Sequence, residues 1–422
     1  MEAVYYSNLL VMTRAERSLL RTAELATLRS AIVCSSHCRY HDWMEPILAH
    51  ARAQQAKLIG FLKELVECES PSDDPAAVNR FVDLFAQRVS DIARVKAVPG
   101  GRYGKHLLCE FQLAGREKEG QILGLGHSDT VWPMGTIRDM PWRQERTRLS
   151  GPGVLDMKSG LAFFVFAMRV LHELRVPVRR KVTLLINSDE EVGSASSRPL
   201  TEQEARQSLA VLVLEPGSGL DGKLKTGRKG VGTYRVTVHG KASHAGVDFE
   251  AGANAVVELA HQIDRIRRFT NLRRGVTVNV GLIQGGTRTN VVPERAAAAI
   301  DFRVPKIKDY EILQRNFATL RPRDTRCRVD VKGELNRPPM ERTPAVAALF
   351  RTASRVAAQI GLELAESETG GGSDGNFTAA LGIPTLDGLG GVGEGAHALH
   401  ECILIDRIAD RTALLAGLVA SL

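Results

Sequence analysis

Seven side chains in this sequence stand out as candidates to hold divalent metals or move protons: His127, Asp129, Asp156, Glu190, Glu191, Glu215 and His397. His127 and Asp129 close the stretch Leu123-Gly-Leu-Gly-His-Ser-Asp-Thr-Val131. If the apolar run before them is a strand, residues two apart share a face about 6–7 Å from each other. An imidazole and a carboxylate then emerge together at the carboxyl end of a strand, where open α/β sheets build their sites. On its own the pair reads equally well as a satisfied buried His–Asp contact. Asp156 stands in Gly151-Pro-Gly-Val-Leu-Asp-Met-Lys-Ser-Gly160, ahead of a long apolar helix. It could be a simple cap, but the glycines around it argue for close approach to another group. The apolar run Lys181–Asn187 ends in Ser188-Asp-Glu-Glu-Val-Gly193. Three successive carboxylates are either a solvated turn or a division of labour, one acid on a metal and its neighbour free as a base. Leu209–Leu214 then delivers Glu215-Pro216. This third delivery of an acid at the end of an apolar segment moves the reading to a metal site. Two histidines with several carboxylates suit zinc, with cobalt or manganese as substitutes. They are too many for one tetrahedral ion and about right for two ions sharing a bridge.

These residues need a frame. Helical spacing is expected over Ile47–Cys68, Pro75–Val89, Leu161–Leu174, Pro344–Ile360 and Ile405–Leu422, and strands over His106–Leu113, Gln121–Gly126, Lys181–Asn187 and Leu209–Leu214. Trp132–Leu149 reads as a polar loop. Between residues 229 and 339 the pattern becomes β-α-β-β-α-β, the split ferredoxin-like module. Its loops carry Gly240-Lys-Ala-Ser-His244-Ala-Gly246 and Gln284-Gly-Gly-Thr-Arg-Thr-Asn290, with Arg303 near the end of the next strand. The resulting division is an N-terminal extension, 1–43, expected to be poorly ordered; a catalytic α/β domain, 44–228 and 340–422; and an inserted lid, 229–339. Thr369-Gly-Gly-Gly-Ser-Asp374 is a glycine loop that can approach a ligand; without a following Gly-Lys-Ser/Thr it is not a phosphate loop.

Composition narrows the class. The 422 residues are 44% hydrophobic and 25% charged, ordinary for a globular chain and long enough for two domains. No apolar run approaches the roughly 18 residues of a membrane span, so no membrane partner is expected. The net charge of +8 favours anionic small molecules. Arg265, Arg267, Arg268, Arg273 and Arg274 cluster at one helix end, but aromatics are only 5%, too few for the stacking that RNA binding would want. No nucleic-acid partner is expected. Six scattered cysteines do not form a disulfide framework, and a reducing, cytoplasmic setting is expected.

The first 43 residues lack the charged start and apolar core of a signal peptide, and Met44 is a candidate start of the folded protein. Cys34, His37, Cys38 and His41 would share one helix face and could bind zinc, or form an incidental cluster.

With these motifs in order, the chain from about residue 55 to 422 resembles the zinc-dependent aminoacylase and carboxypeptidase family. That family includes acetylornithine deacetylase, succinyl-diaminopimelate desuccinylase and the folate-cleaving glutamate carboxypeptidase. The resemblance rests on Gly126-His-Ser-Asp-Thr-Val131, Gly151-Pro-Gly with Asp156-Met-Lys-Ser-Gly160, Asp189-Glu-Glu191, Glu215-Pro216, Gly240–Gly246 and His397. It implies a di-zinc aminopeptidase-like catalytic domain with a ferredoxin-like lid through which two copies pair. His127 and Glu215 would bind one zinc, and Glu191 and His397 the other. Asp156 would bridge them, with a cis peptide after it. Asp129 would orient His127. Glu190 would be the general base for a hydroxide held between the ions. His244 and Asn290 would steady the oxyanion, in cis or from the partner copy, and Arg303 would pair with the substrate carboxylate. Gly193–Arg198, the Asn290-to-Arg303 spacing and Thr369–Asp374 look most like the glutamate carboxypeptidase branch. There Lys223 would meet a side-chain carboxylate, though it also reads as an exposed turn lysine, and Gly371 and Gly372 would line the substrate. Cys402 stands where the family has an aromatic, which leaves His400 as an alternative to His397. The implied reaction is hydrolysis of an amide next to a free carboxylate in a small molecule or short peptide, releasing a C-terminal amino acid, with glutamate favoured. The alternative is an N-acyl-amino-acid deacylase of the acetylornithine or succinyl-diaminopimelate type.

Overall fold

The computed structural model describes residues 43–116 and 118–422. The Cys34–His41 cluster and nearly all of the N-terminal extension lie outside them.

A six-stranded mixed sheet organises the first and last parts of the chain. Its spatial order is Ala93–Pro99, Lys105–Phe111, Lys181–Asn187, Gln121–His127, Ser208–Val213, Thr385–Leu386. The first two pairings are antiparallel and the remaining three parallel. Gln121–His127 is buried along its whole length, the pattern of a strand covered on both faces. One cover is the helix Ser159–Glu173, whose Leu161, Phe163 and Phe164 are fully enclosed. Two glycines in the strand make this contact possible: a Cβ on Gly124 would stand 2.7 Å from the Phe164 ring, and one on Gly126 2.7 Å from Leu161. Helices over residues 43–67, at Pro75–Val89 and at Ile408–Ser421 complete this core. Asp74 caps the second of these by accepting from the Ala76 and Ala77 N–H groups.

Gly230–Arg337 forms a second sheet with a core of its own. Its elements run β-α-β-β-α-β, and the spatial strand order is Thr277–Gly285, Arg295–Val304, Gly230–His239, Arg328–Arg337, all antiparallel. Gly230–His239 alternates buried and partly exposed positions, as a strand with one face on helices must. Tyr234 packs against Phe302 and stacks on Phe317 of the helix Ile307–Ala318.

Two local readings change. The strand Ala93–Pro99 is not legible from sequence, because the six residues from Arg94 to Pro99 are all exposed or partly exposed at the sheet edge. Trp132–Leu149 is not a plain loop: it holds a helical turn, Thr136–Asp139, and a ribbon, Arg143–Gln144 against Arg148–Ser150. Among the described residues no helix is long and apolar enough to cross a membrane.

Candidate metal centre

Three adjacent parallel strands end at one edge of the first sheet. In register, His127 pairs with Asn187, and Leu125 with Val213. Glu190, Glu191 and Glu215 therefore leave the sheet beside His127. Asp156 enters from the turn ahead of helix Ser159–Glu173, and the Asp156–Met157 peptide is cis. His397 comes from the glycine-rich loop after Leu389 and holds a positive φ of 61°, a conformation uncommon for a side chain with a Cβ.

The geometry divides Asp156 between two histidines. Its Oδ1 lies 3.4 Å from His127 Nε2 and its Oδ2 3.3 Å from His397 Nε2. Glu215 Oε1 is 3.5 Å from His127 Nε2, and Glu191 Oε1 is 3.3 Å from His397 Nε2. These separations are wide for hydrogen bonds. His127 Nε2, Asp156 Oδ1 and Glu191 Oε1 are buried with no hydrogen-bond partner. Buried polar atoms are almost always paired, so three orphans pointing at one another fit a divalent cation. Ligand atoms of His127, Asp156 and Glu191 lie within 4.8 Å of one another, as do those of His127, Glu190 and Glu215. Charge agrees with this. Asp156 and Glu191 push the His397 pKa up to about 10. Burial works against a charge on His127, yet Asp156 and Glu215 hold its pKa well above the ordinary value. Burial, then Asp156, raises Glu215. The cluster is over-supplied with negative charge and calls for cations.

A ring of fixed contacts aims these groups. His127 Nδ1–H donates to the main-chain oxygen of Asp129 at 2.9 Å, which leaves Nε2 as the ring nitrogen that faces Asp156 and Glu215. The Asp129 carboxylate stands 3.6 Å from that ring nitrogen. It accepts instead from the Glu190 and Glu191 N–H groups at 3.1 and 3.2 Å, and from Ser72 at 2.8 Å. Asp129 thus orients His127 through its backbone and the Glu190–Glu191 turn through its side chain. Glu401 accepts from the N–H groups of Gly153, Leu155 and Asp156 and from Trp132 Nε1, all at 2.8–3.0 Å, holding the turn that presents Asp156. His106 sits beneath the acidic turn, accepting from the Ser188 N–H at 3.1 Å; burial lowers its pKa.

Four arginine and lysine positions escape a sequence reading or change their meaning. Arg337 donates to Glu190 Oε1 and to Asp374, both at 2.8 Å. Its only local signal is its place before Pro338-Pro339, where the chain leaves the second sheet. Arg303 spends its fork on Asp301, two bonds of 3.0 Å, with a longer contact to the Gly370 carbonyl. Lys223 is paired with Asp221 at 3.1 Å on a turn. The lysine inside is Lys225, 8% exposed and acted on by the charges of Arg228, Asp387, Glu215 and Asp156.

His244 and Asn290 come together on a small ribbon, Ser243–His244 against Val291–Val292, with the Ala245 N–H donating to the Asn290 carbonyl. His244 Nδ1 accepts from the Gly246 and Val247 N–H groups, so its Nε2–H points outward as a donor. Among the described residues no hydrogen bond or ion pair joins this ribbon to the carboxylate cluster. Gly371 and Gly372 turn their carbonyls to Arg228.

The chain is 29% identical over 413 residues to carboxypeptidase G2 of Pseudomonas sp. (strain RS-16), covering 96% of this chain and 98% of that protein. Its fold is similar to aminopeptidase PepT of Bacillus cereus ATCC 10987, with a TM-score of 0.72 at 23% identity, covering 87% of this chain and 98% of that one. It is similar also to a dinuclear metal-binding peptidase of Bacillus subtilis, with a TM-score of 0.65 at 15% identity and coverage of 87% and 98%. Residues 124–421 match peptidase family M20/M25/M40, and the chain belongs to that family as a metal-dependent hydrolase of the carboxypeptidase-like kind.

Proposed function

We propose that this chain is a two-metal carboxypeptidase that cleaves an amide next to a free carboxylate and releases a C-terminal amino acid, glutamate in first place. The observation that carries the reading is Asp156 with one oxygen toward His127 and the other toward His397. His127 and Glu215 would complete one site, Glu191 and His397 the other, with zinc as the native ion. The cations, when bound, polarise the scissile carbonyl and lower the pKa of a water. Glu190 would take a proton from the attacking water and pass it to the leaving amine. His244 and Asn290 donate toward the developing oxyanion. Arg303, released from Asp301, meets the substrate carboxylate beside Gly371 and Gly372. Support for the carboxypeptidase reading comes from the likeness to carboxypeptidase G2 across almost the whole chain, and for the glutamate preference from the resemblance of Gly193–Arg198 and Thr369–Asp374 to the glutamate carboxypeptidase branch. A panel of N-acyl-glutamates, folate-like amides, peptides ending in neutral residues and N-acetylornithine tests it. Turnover highest on glutamate amides is expected; N-acetylornithine hydrolysed fastest would replace the reading with the deacylase one.

In this reading residues 44–228 and 340–422 are the catalytic domain and 229–339 the lid. Among the described residues the lid's strand Thr277–Gly285 has an unpaired edge, with Leu282 68% and Ile283 61% exposed. Apolar side chains on an open strand edge favour pairing with a second copy. Sedimentation at twice the chain mass is expected, and a monomer at micromolar concentration would remove this part. The four described cysteines are unpaired thiols, in accord with the cytoplasmic setting we infer.

A further inference from the structure

Arg228 ends the strand Leu224–Arg228 and is 5% exposed. Its guanidinium has three targets. Nε and Nη2 hold the two oxygens of Asp387 at 2.7 and 2.9 Å. Nη1 donates to the carbonyls of Gly372 and Gly371 at 3.1 and 3.2 Å. Nη2 also stands 3.7 Å from Glu215 Oε2. Its main chain exchanges two bonds of 3.0 Å with Met340, so the arginine is fixed at both ends. Asp387 is locked in turn by Ser373 at 2.7 Å.

The two oxygens of Glu215 therefore face different groups: Oε1 faces His127 and Oε2 faces Arg228. The 3.7 Å gap is electrostatic and not a hydrogen bond, so Arg228 can orient the carboxylate without drawing it away from a cation. Asp387 already balances the arginine's charge, so the guanidinium contributes mainly direction. The same group fixes Gly371 and Gly372. Only a planar fork reaches all three targets; a lysine ammonium is a point charge with no such span.

Resting on the metal-site reading above, we propose that Arg228 is a positioning residue for the ion shared by His127 and Glu215, fixing the free oxygen of Glu215 and the Gly371–Gly372 loop together. The test uses full-length Arg228→Lys and Asp387→Asn, with the circular-dichroism melt recorded for each. Each protein is loaded with zinc and dialysed against a graded chelator, and the ions per chain are counted by elemental mass spectrometry. Wild type is expected to retain two ions. R228K is expected to lose one of them, with zinc affinity at that site weakened about 10- to 100-fold, the usual effect of disturbing a ligand's supporting partner. Added zinc should restore its turnover. D387N should move the same way by less. A general folding defect would lower the melt without a selective loss of one ion and without rescue. Folded R228K that keeps both ions at wild-type affinity overturns the proposal; should R228K not fold, the ion count of D387N decides in the same terms. Wild type that binds no zinc would instead overturn the metal-site reading itself.

Discussion

Replacing Glu190 with glutamine is expected to lower kcat by about 10²- to 10⁴-fold, the range over which a positioned general base acts, while both metal ions remain bound. The surroundings of Glu190 support that expectation. Burial raises its pKa well above the ordinary carboxylate value, although Arg337 and His127 pull the other way, and a base works best when its pKa nears the operating pH. Glutamine has the same shape and can still accept the Arg337 N–H at the position where Glu190 Oε1 accepts it at 2.8 Å. The fold and the Asp129 contacts to the turn should therefore survive, which separates a chemical effect from a structural one. Steady-state kinetics with a metal count on the same sample makes the check. A glutamine variant that loses an ion would make Glu190 a ligand, as its closeness to His127 and Glu215 permits. One that hydrolyses amides at the wild-type rate would remove it from the mechanism.

The second large effect concerns Asp156. Asp156→Asn is expected to hold at most one ion and to lose about 10³-fold or more in kcat/KM, since a cation at the reacting carbonyl supplies several kcal/mol of charge stabilisation. The reason lies in its two-sided geometry. Both oxygens are needed, one on each side, and an amide offers only one acceptor oxygen with its NH₂ facing the other histidine. Exhaustive chelation of the wild-type protein should reproduce the loss and zinc should reverse it. Chelation should also lower the melting temperature, because a ligand held only by the folded state stabilises it, and because removing the ions leaves buried Glu215 and half-buried Glu190, Glu191 and Asp156 facing one another. A chelated protein with undiminished activity would contradict both this expectation and the family's metal dependence.

How far the sequence reaches is clearest at the strand ends. His127, the Glu190–Glu191 pair and Glu215 each follow an apolar run. A buried parallel strand reads as such a run because both of its faces are covered. The glycines before His127 were equally visible, though only packing shows that Gly124 and Gly126 make room for Phe164 and Leu161. The edge strand Ala93–Pro99 left no such trace, because an edge position imposes no apolar pattern on Arg94 or Lys96.

Sequence alone thus named the side chains that the fold gathers at one end of the sheet and the order in which the chain delivers them. Its reach there follows from periodicity and turn chemistry, which act over a few residues. Tertiary structure decided their pairing. Arg337 reaches Glu190 across 147 positions, and Glu401 reaches Gly153 across 248. Arg228 joins Asp387 across 159. Such contacts depend on where sheets and loops meet in space, and no local spacing encodes them. For the same reason Asp129 turned out to act through two different groups, its carbonyl on His127 and its carboxylate on the Glu190–Glu191 turn. Spacing places Asp129 beside the histidine, but only the folded chain fixes which of its atoms faces which partner.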